Sequence, residues 1–254
     1  MKLKYLLLIL FFVLPNISYG AIAFDSASTP LFNNAGTDTS FTVAHTITGD
    51  NTALVVSVFL NRTTGGATVT GCTYNGDAMS LVNSNGGDDG PNTVTSYLFL
   101  LINPDTSTNN IVCSTSGLLT GPKQIFIGGL SYTGVKQTGQ PDSNNSITGI
   151  ESIQTNINQP TTVVESDSWL VGALMDDGAG LTGGAGTGTT YRSDYNPNSA
   201  HWADSGGPVS SGSQSLNYTV SIAGTNRYAG GILSLAPSAG GGATGDPQDI
   251  LIFN

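Results

Sequence analysis

Residues 53–60 read Ala-Leu-Val-Val-Ser-Val-Phe-Leu, an apolar octet broken only by Ser57. Gly49-Asp50-Asn51 precedes it and Asn61-Arg62 follows, so turn-forming residues bound it on both sides. The run is too short for an ordinary helix and is rich in β-branched residues. It has the character of a strand buried on both faces, or lying beneath a second sheet. Four further runs repeat it: Val94–Ile102, Gln124–Tyr132, Trp169–Met175 and Tyr228–Ala236. Such strands, separated by Gly, Ser, Thr and Asn, predict an all-β fold. The expected form is a single two-sheet antiparallel β-sandwich, jelly-roll-like, with Gly-rich loops.

Weaker segments fill in the order. Phe41, Val43, His45 and Ile47 alternate with polar or small residues, the pattern of a half-buried strand. Asn75-Gly76 between two β-patterned runs signals a tight hairpin. Gln137–Gly149 reads as a polar crossing with little to bury, and Asp176–Gly188 as a Gly-rich loop. Ser213–Ile222 and Tyr228–Ala236 read as a closing hairpin around Gly224-Thr225-Asn226. No break in composition divides the middle. The expected organisation is a signal peptide over 1–20, one domain over 21–237, and a Gly/Ala linker with a short tail over 238–254.

Composition narrows the partners. Only 9% of residues are charged and the formal net charge is −10, against about 25% charged in an average soluble protein. Such a surface repels phosphate backbones, which argues against nucleic acid as a partner. Lys2 and Lys4, the apolar stretch Tyr5–Leu14, and Ser18 and Gly20 before Ala21 form a secretion signal with a cleavage site. Ten apolar residues fall short of the ~20 that a spanning helix needs. No later segment could span a membrane as a helix, so the expected location is secreted or extracellular. Cys72 and Cys113 are the two cysteines, and in an exported chain they predict one disulfide.

The segments IAFDSAS, FTVAHTITGDNTALVVSV, VTGCTYNGDAM, VTSYLFLLINP, LSYTGVKQ, SWLVGALM and SLNYTVSIAGTNRYAGGILSLAPS follow one another in order. In that order they resemble a β-sandwich module of bacterial secreted proteins and of phage structural proteins. The resemblance spans nearly all of the chain after the signal. It implies placement on a cell or virion surface, as a secreted module or a phage decoration or fibre component, and it brings no catalytic residues with it.

Three constellations are candidates for chemistry. Asp204-Ser205-Gly206-Gly207-Pro208 matches the nucleophile segment of chymotrypsin-like proteases, with His45 and Asp88 or Asp89 at plausible spacing. Neither the start of the chain after the signal nor the residues after Pro208 continue that likeness, so a turn is the expected reading and a secreted hydrolase the rival one. Asp88-Asp89 and Asp176-Asp177 stand in Gly-rich stretches, where carboxylates can hold Ca²⁺. Asp88 and Asp89 are the metal candidates. Trp202, Tyr191 and Tyr195 lie close in sequence beside polar loops, as a sugar-stacking platform would, with Asp176 or Asp177 as hydrogen-bonding partners. The expected function is non-catalytic, an exported structural or binding module with a glycan or a surface component as its partner.

Overall fold

The computed structural model describes residues 20–34, 36, 38–62, 67–86, 93–117, 124–151, 156–177, 185–195, 200–219 and 226–239. The expected signal peptide up to residue 19 and the tail from 240 lie outside these residues. Among the described residues all regular structure is strand. The first half holds β1 (Ala23–Ala27), β2 (Leu31–Asn34), β3 (Ser40–Thr46), β4 (Ala53–Arg62), β5 (Val69–Tyr74), β6 (Asp77–Ala78), β7 (Ser80–Gly86), β8 (Thr93–Ile102), β9 (Thr108–Thr115) and β10 (Gln124–Thr133). The second half holds β11 (Ser143–Glu151), β12 (Asn156–Val163), β13 (Trp169–Asp176), β14 (Thr190–Tyr195), β15 (Ala200–Asp204), β16 (Gly212–Thr219) and β17 (Asn226–Leu235).

The fold is all-β and antiparallel as expected, but the strands of the described residues form four sheets rather than two. The first inner sheet runs β1-β10-β4-β8-β7, with β2 also on β10, and the second runs β11-β17-β13-β15-β14. The outer sheets are β3-β9-β5-β6 and β12-β16. Alternation along β4 shows how they stack. Leu54, Val56, Val58 and Leu60 pack on Phe41, Val43 and Ile111 of the first outer sheet. Ala53, Val55 and Phe59 face the opposite way, onto Trp169, Trp202 and Leu233 of the second inner sheet. Beyond that sheet, Leu170, Leu174 and Ile232 pack on Ile157, Leu216 and Tyr218. The order of layers is outer, inner, inner, outer. The octet is buried on both faces because its sheet has a neighbour on each side.

Two expectations about connection are corrected. Residues 212–219 do not form a hairpin with β17. They pair with β12 in an outer sheet, while β17 lies between β11 and β13 in an inner one. The polar crossing contains β11, which pairs with β17 from Ser143↔Ser234 to Glu151↔Asn226. Cys72 and Cys113 stand directly opposite on β5 and β9 and are bonded, their Cα atoms 4.1 Å apart.

The two halves have the same topology. β1, β3, β4, β7, β8, β9 and β10 correspond in order to β11 through β17, and β2, β5 and β6 are additions to the first half. The match extends to single residues. Asp25 accepts hydrogen bonds from Thr48 N (3.0 Å) and Ser131 Oγ (2.7 Å), and Asp142 accepts them from Val164 N (2.9 Å) and Ser234 Oγ (3.0 Å). Ser26 and Ser143 follow these aspartates and meet the same serines at 3.1 and 2.9 Å. The edge strands β7 and β14 each carry a bulge, at Leu81/Asn83 and at Tyr191/Ser193. Asn51 and Asp167 both hold a left-handed conformation, φ 51° and 63°, before β4 and β13.

Contacts between the halves are reciprocal, as in an isologous dimer. Trp202 of β15 lies on Gly128 of β10, and Leu98 of β8 lies on Gly231 of β17. Ser193 Oγ donates to Ser28 O at 3.2 Å, and Asn83 Nδ2 to Asn145 O at 3.0 Å. The chain is a fused pair of sandwiches joined through their inner sheets.

Candidate functional site

The Asp204–Pro208 segment ends β15 and turns toward Val209, which bridges back to Ser168. Its counterpart in the first half is the end of β8 with Asn103-Pro104, which implies a turn role for both. Ser205 Oγ donates to Gly207 O at 2.6 Å and accepts from Leu170 N at 3.2 Å, so its hydroxyl pins the turn to β13. Asp204 is fully buried and accepts from Arg192 Nε (2.7 Å), Tyr132 OH (2.9 Å) and Gly206 N (2.8 Å). The Arg192 guanidinium lies 4.3 Å from the centre of the Phe24 ring. Burial, with the Asp204 carboxylate beside it, holds the Tyr132 hydroxyl well above its ordinary range.

The histidines are elsewhere. His201 precedes Ser205 by four residues on an extended strand, roughly 13 Å along the chain. His45 is on β3, in the first outer sheet, while Ser205 follows a strand of the second inner one. Asp88 and Asp89, third members of the protease likeness and also the candidate metal ligands, lie outside the described residues. His45 is 2% exposed. Its Nε2 is 3.4 Å from Ser26 Oγ, and its Nδ1 has no hydrogen-bond partner among the described residues. Burial lowers its pKa to about 4, with Asp25 working weakly the other way.

The aromatic residues do not share one surface. Trp202 is 1% exposed, its ring enclosed between the inner sheets and edge-on to Phe59. It has no free face for a sugar, and its place in the expected platform is corrected to the core. Tyr191 is half-buried toward the second outer sheet, stacked on His201 with centroids 4.4 Å apart, and its pKa is pushed up to about 12 by burial. Tyr195 is half-buried on the opposite face, stacked on Phe32 at 4.7 Å. The bulge at Arg192 shifts the alternation of β14, so tyrosines four apart in sequence face different cores.

The acidic pair also parts. Asp176 ends β13 opposite Tyr228 and is 1% exposed. Asp177 accepts from Arg227 N at 2.8 Å, with the Arg227 guanidinium 3.9 Å away. Among the described residues no group of three or more His, Cys, Asp or Glu could hold a metal ion.

Sequence reasoning passed over a cleft of 420 Å³ where β7 and the end of β8 face Gln140 and Pro141. Leu81 stands at its rim, 53% exposed. The only trace in the sequence was an apolar Leu81-Val82 pair on a strand whose partner could not be read. Among the described residues no helix is long and apolar enough to cross a membrane. Comparison of the sequence with models of protein families and with curated proteins finds no match.

Proposed function

We propose that this chain is an exported, non-catalytic β-module that acts as a structural or binding element at a cell or virion surface. The observation that carries the reading is the use made of its most chemistry-like residues. Ser205, Asp204, Asp25 and Asp142 are each spent on holding strands and turns together, and the aspartate–serine latch occurs once in each half. The disulfide supports export, because such bonds persist in oxidising compartments. Ala21 and Ile22 line one small cavity together with Pro237, so the two ends of the domain that follows the expected signal meet on one side. A module carried at that side would present its other surfaces freely. Sugar stacking through Trp202, Tyr191 and Tyr195 is not part of this reading, since Trp202 is buried in the central core and the two tyrosines face different cores.

Labelling with a fluorophosphonate tests it. The expected result is no adduct on the native protein. An adduct that disappears in Ser205→Ala would replace the structural reading with the hydrolase.

A further inference from the structure

An edge strand leaves half of its backbone N–H and C=O groups without ladder partners, and soluble proteins close such edges with a proline, a bulge or a cover. Most edges here are closed in that way. β1, β7 and β14 are bulged, and β2 and β6 are only four and two residues long. At the edge of β11, Asn145 O accepts from Asn83 Nδ2, and β16 is bridged by Ala185 at Tyr218. β3 has none of these devices among the described residues. Its seven residues pair with β9 without a register shift and include no Pro, Asp, Glu, Lys or Arg. Ile47 N donates to Ser107 O and Thr115 N to Thr39 O, so the odd residues of β3 are those that bond β9. The N–H and C=O groups of Ser40, Thr42, Ala44 and Thr46 therefore point to the open side, and all four residues are exposed. Of those groups Thr46 O accepts from Ser26 Oγ, and the others have no partner among the described residues.

The doubled architecture supplies the comparison. Asp25 and Asp142 accept from the amides of Thr48 and Val164, and by that match Ala44 corresponds to Pro160 and Ser28 to Asn145. On β12, Pro160 has no N–H, and its carbonyl accepts from Asn145 Nδ2 at 2.9 Å. The middle of that edge is closed twice. On β3, Ala44 keeps both groups, and Ser28 is buried with its Oγ turned inward, accepting from Gly129 N at 2.7 Å. One fold closes one edge and leaves its equivalent open. We propose that β3 is a self-association edge, where a second copy of this chain pairs its own β3 antiparallel about a twofold axis. Each exposed N–H then meets a carbonyl of the other copy, and the two four-stranded outer sheets become one. The net charge of −10 makes two copies repel over most of their surface, and an uncharged strand with small outward side chains is where they can meet. This pairing goes beyond the proposed function and does not depend on it.

Sedimentation velocity tests the association. A single strand pair is a small interface, so the dimer is expected to form between about 10 μM and 1 mM. Hydrogen exchange followed by NMR locates it: the amides of Thr42 and Ala44 are expected to exchange at least about tenfold more slowly in the dimer than in the monomer. Ala44→Pro installs the closure found at Pro160 and is expected to weaken association at least about tenfold, with circular dichroism unchanged. Thr42→Lys puts like charges on the two paired strands and is expected to do the same, which keeps the test open should the proline variant not fold. A monomer throughout that range overturns the proposal. So does a dimer whose Thr42 and Ala44 amides exchange as in the monomer, or one that folded Ala44→Pro or Thr42→Lys leaves intact.

Discussion

His45 and Thr161 occupy equivalent positions in the two halves, each beside the serine that follows the latch aspartate. The fold therefore accepts a hydroxyl where it has buried an imidazole, and the imidazole has a consequence that a hydroxyl lacks. The folded pKa of His45, about 4, lies below the unfolded value near 6.5. Its neutral form is the one the fold favours, so stability is complete above pH 6.5. It falls as the pH drops through the window to about 4, where the folded state also takes the proton. The expected loss from this one residue is roughly 3 kcal/mol. Urea denaturation at pH 7 and pH 4 measures it, and in His45→Thr most of this loss should vanish. Gly128 is the other residue with an exacting role. A Cβ there would lie 2.5 Å from Trp202 Cε2, inside a packed interface. Gly128→Ala should cost about 1–3 kcal/mol. Gly207→Ala, where an added Cβ meets nothing within 4 Å, should stay within about 0.5 kcal/mol of the native protein. Similar midpoints for the two variants would contradict the packing described.

At the level of elements, legibility followed burial. β4, β8, β10, β13 and β17 announce themselves because they have neighbours on both faces, which demands unbroken apolar side chains. β11 does not, because it is an edge strand whose residues are mostly half-buried or exposed, and polar side chains suffice. The Asn75-Gly76 turn was legible because both residues adopt positive φ, 52° and 92°, as a two-residue hairpin turn of this type requires. The tyrosines of β14 misled because a bulge has no reliable mark in sequence. Among the described residues only the first half extends its outer sheet, with β5 and β6, and there the disulfide ties β5 to β9. Closing a 41-residue separation is worth about 4 kcal/mol on the chain-entropy estimate. Reduction, or replacement of Cys72 and Cys113 by Ala, should lower stability by that order. Mass spectrometry of unreduced peptides should find the two joined, and a reduced protein of unchanged stability would refute the contribution.

For the whole molecule, the central cluster of the core draws residues from both inner sheets, with Phe59, Phe126 and Tyr132 on one side and Trp169, Trp202 and Leu233 on the other. Neither half can expose its inner sheet without losing that contact. The halves should therefore unfold as one unit. Tryptophan fluorescence and far-ultraviolet circular dichroism should give coincident thermal transitions. Two separated transitions would show that the halves are independent.

The sequence by itself determined that the protein is all-β, which strands lie deepest, where one tight turn falls, and which cysteines pair. Each is a local property, written as composition or alternation over a few residues. Only the tertiary structure decided that there are four layers, that β16 pairs with β12 rather than β17, and that the chain is a doubled unit. These depend on contacts between residues far apart in the chain, from Val163 and Gly212 to Ser28 and Ser193, which many different sequences can satisfy. His45 and Thr161 hold one position, and Cys113 and Tyr218 another, so the repeat survives in geometry while its letters diverge. The open edge is of the same kind: Ala44 and Pro160 are ordinary in sequence, and the structure alone places them at one position in the two halves.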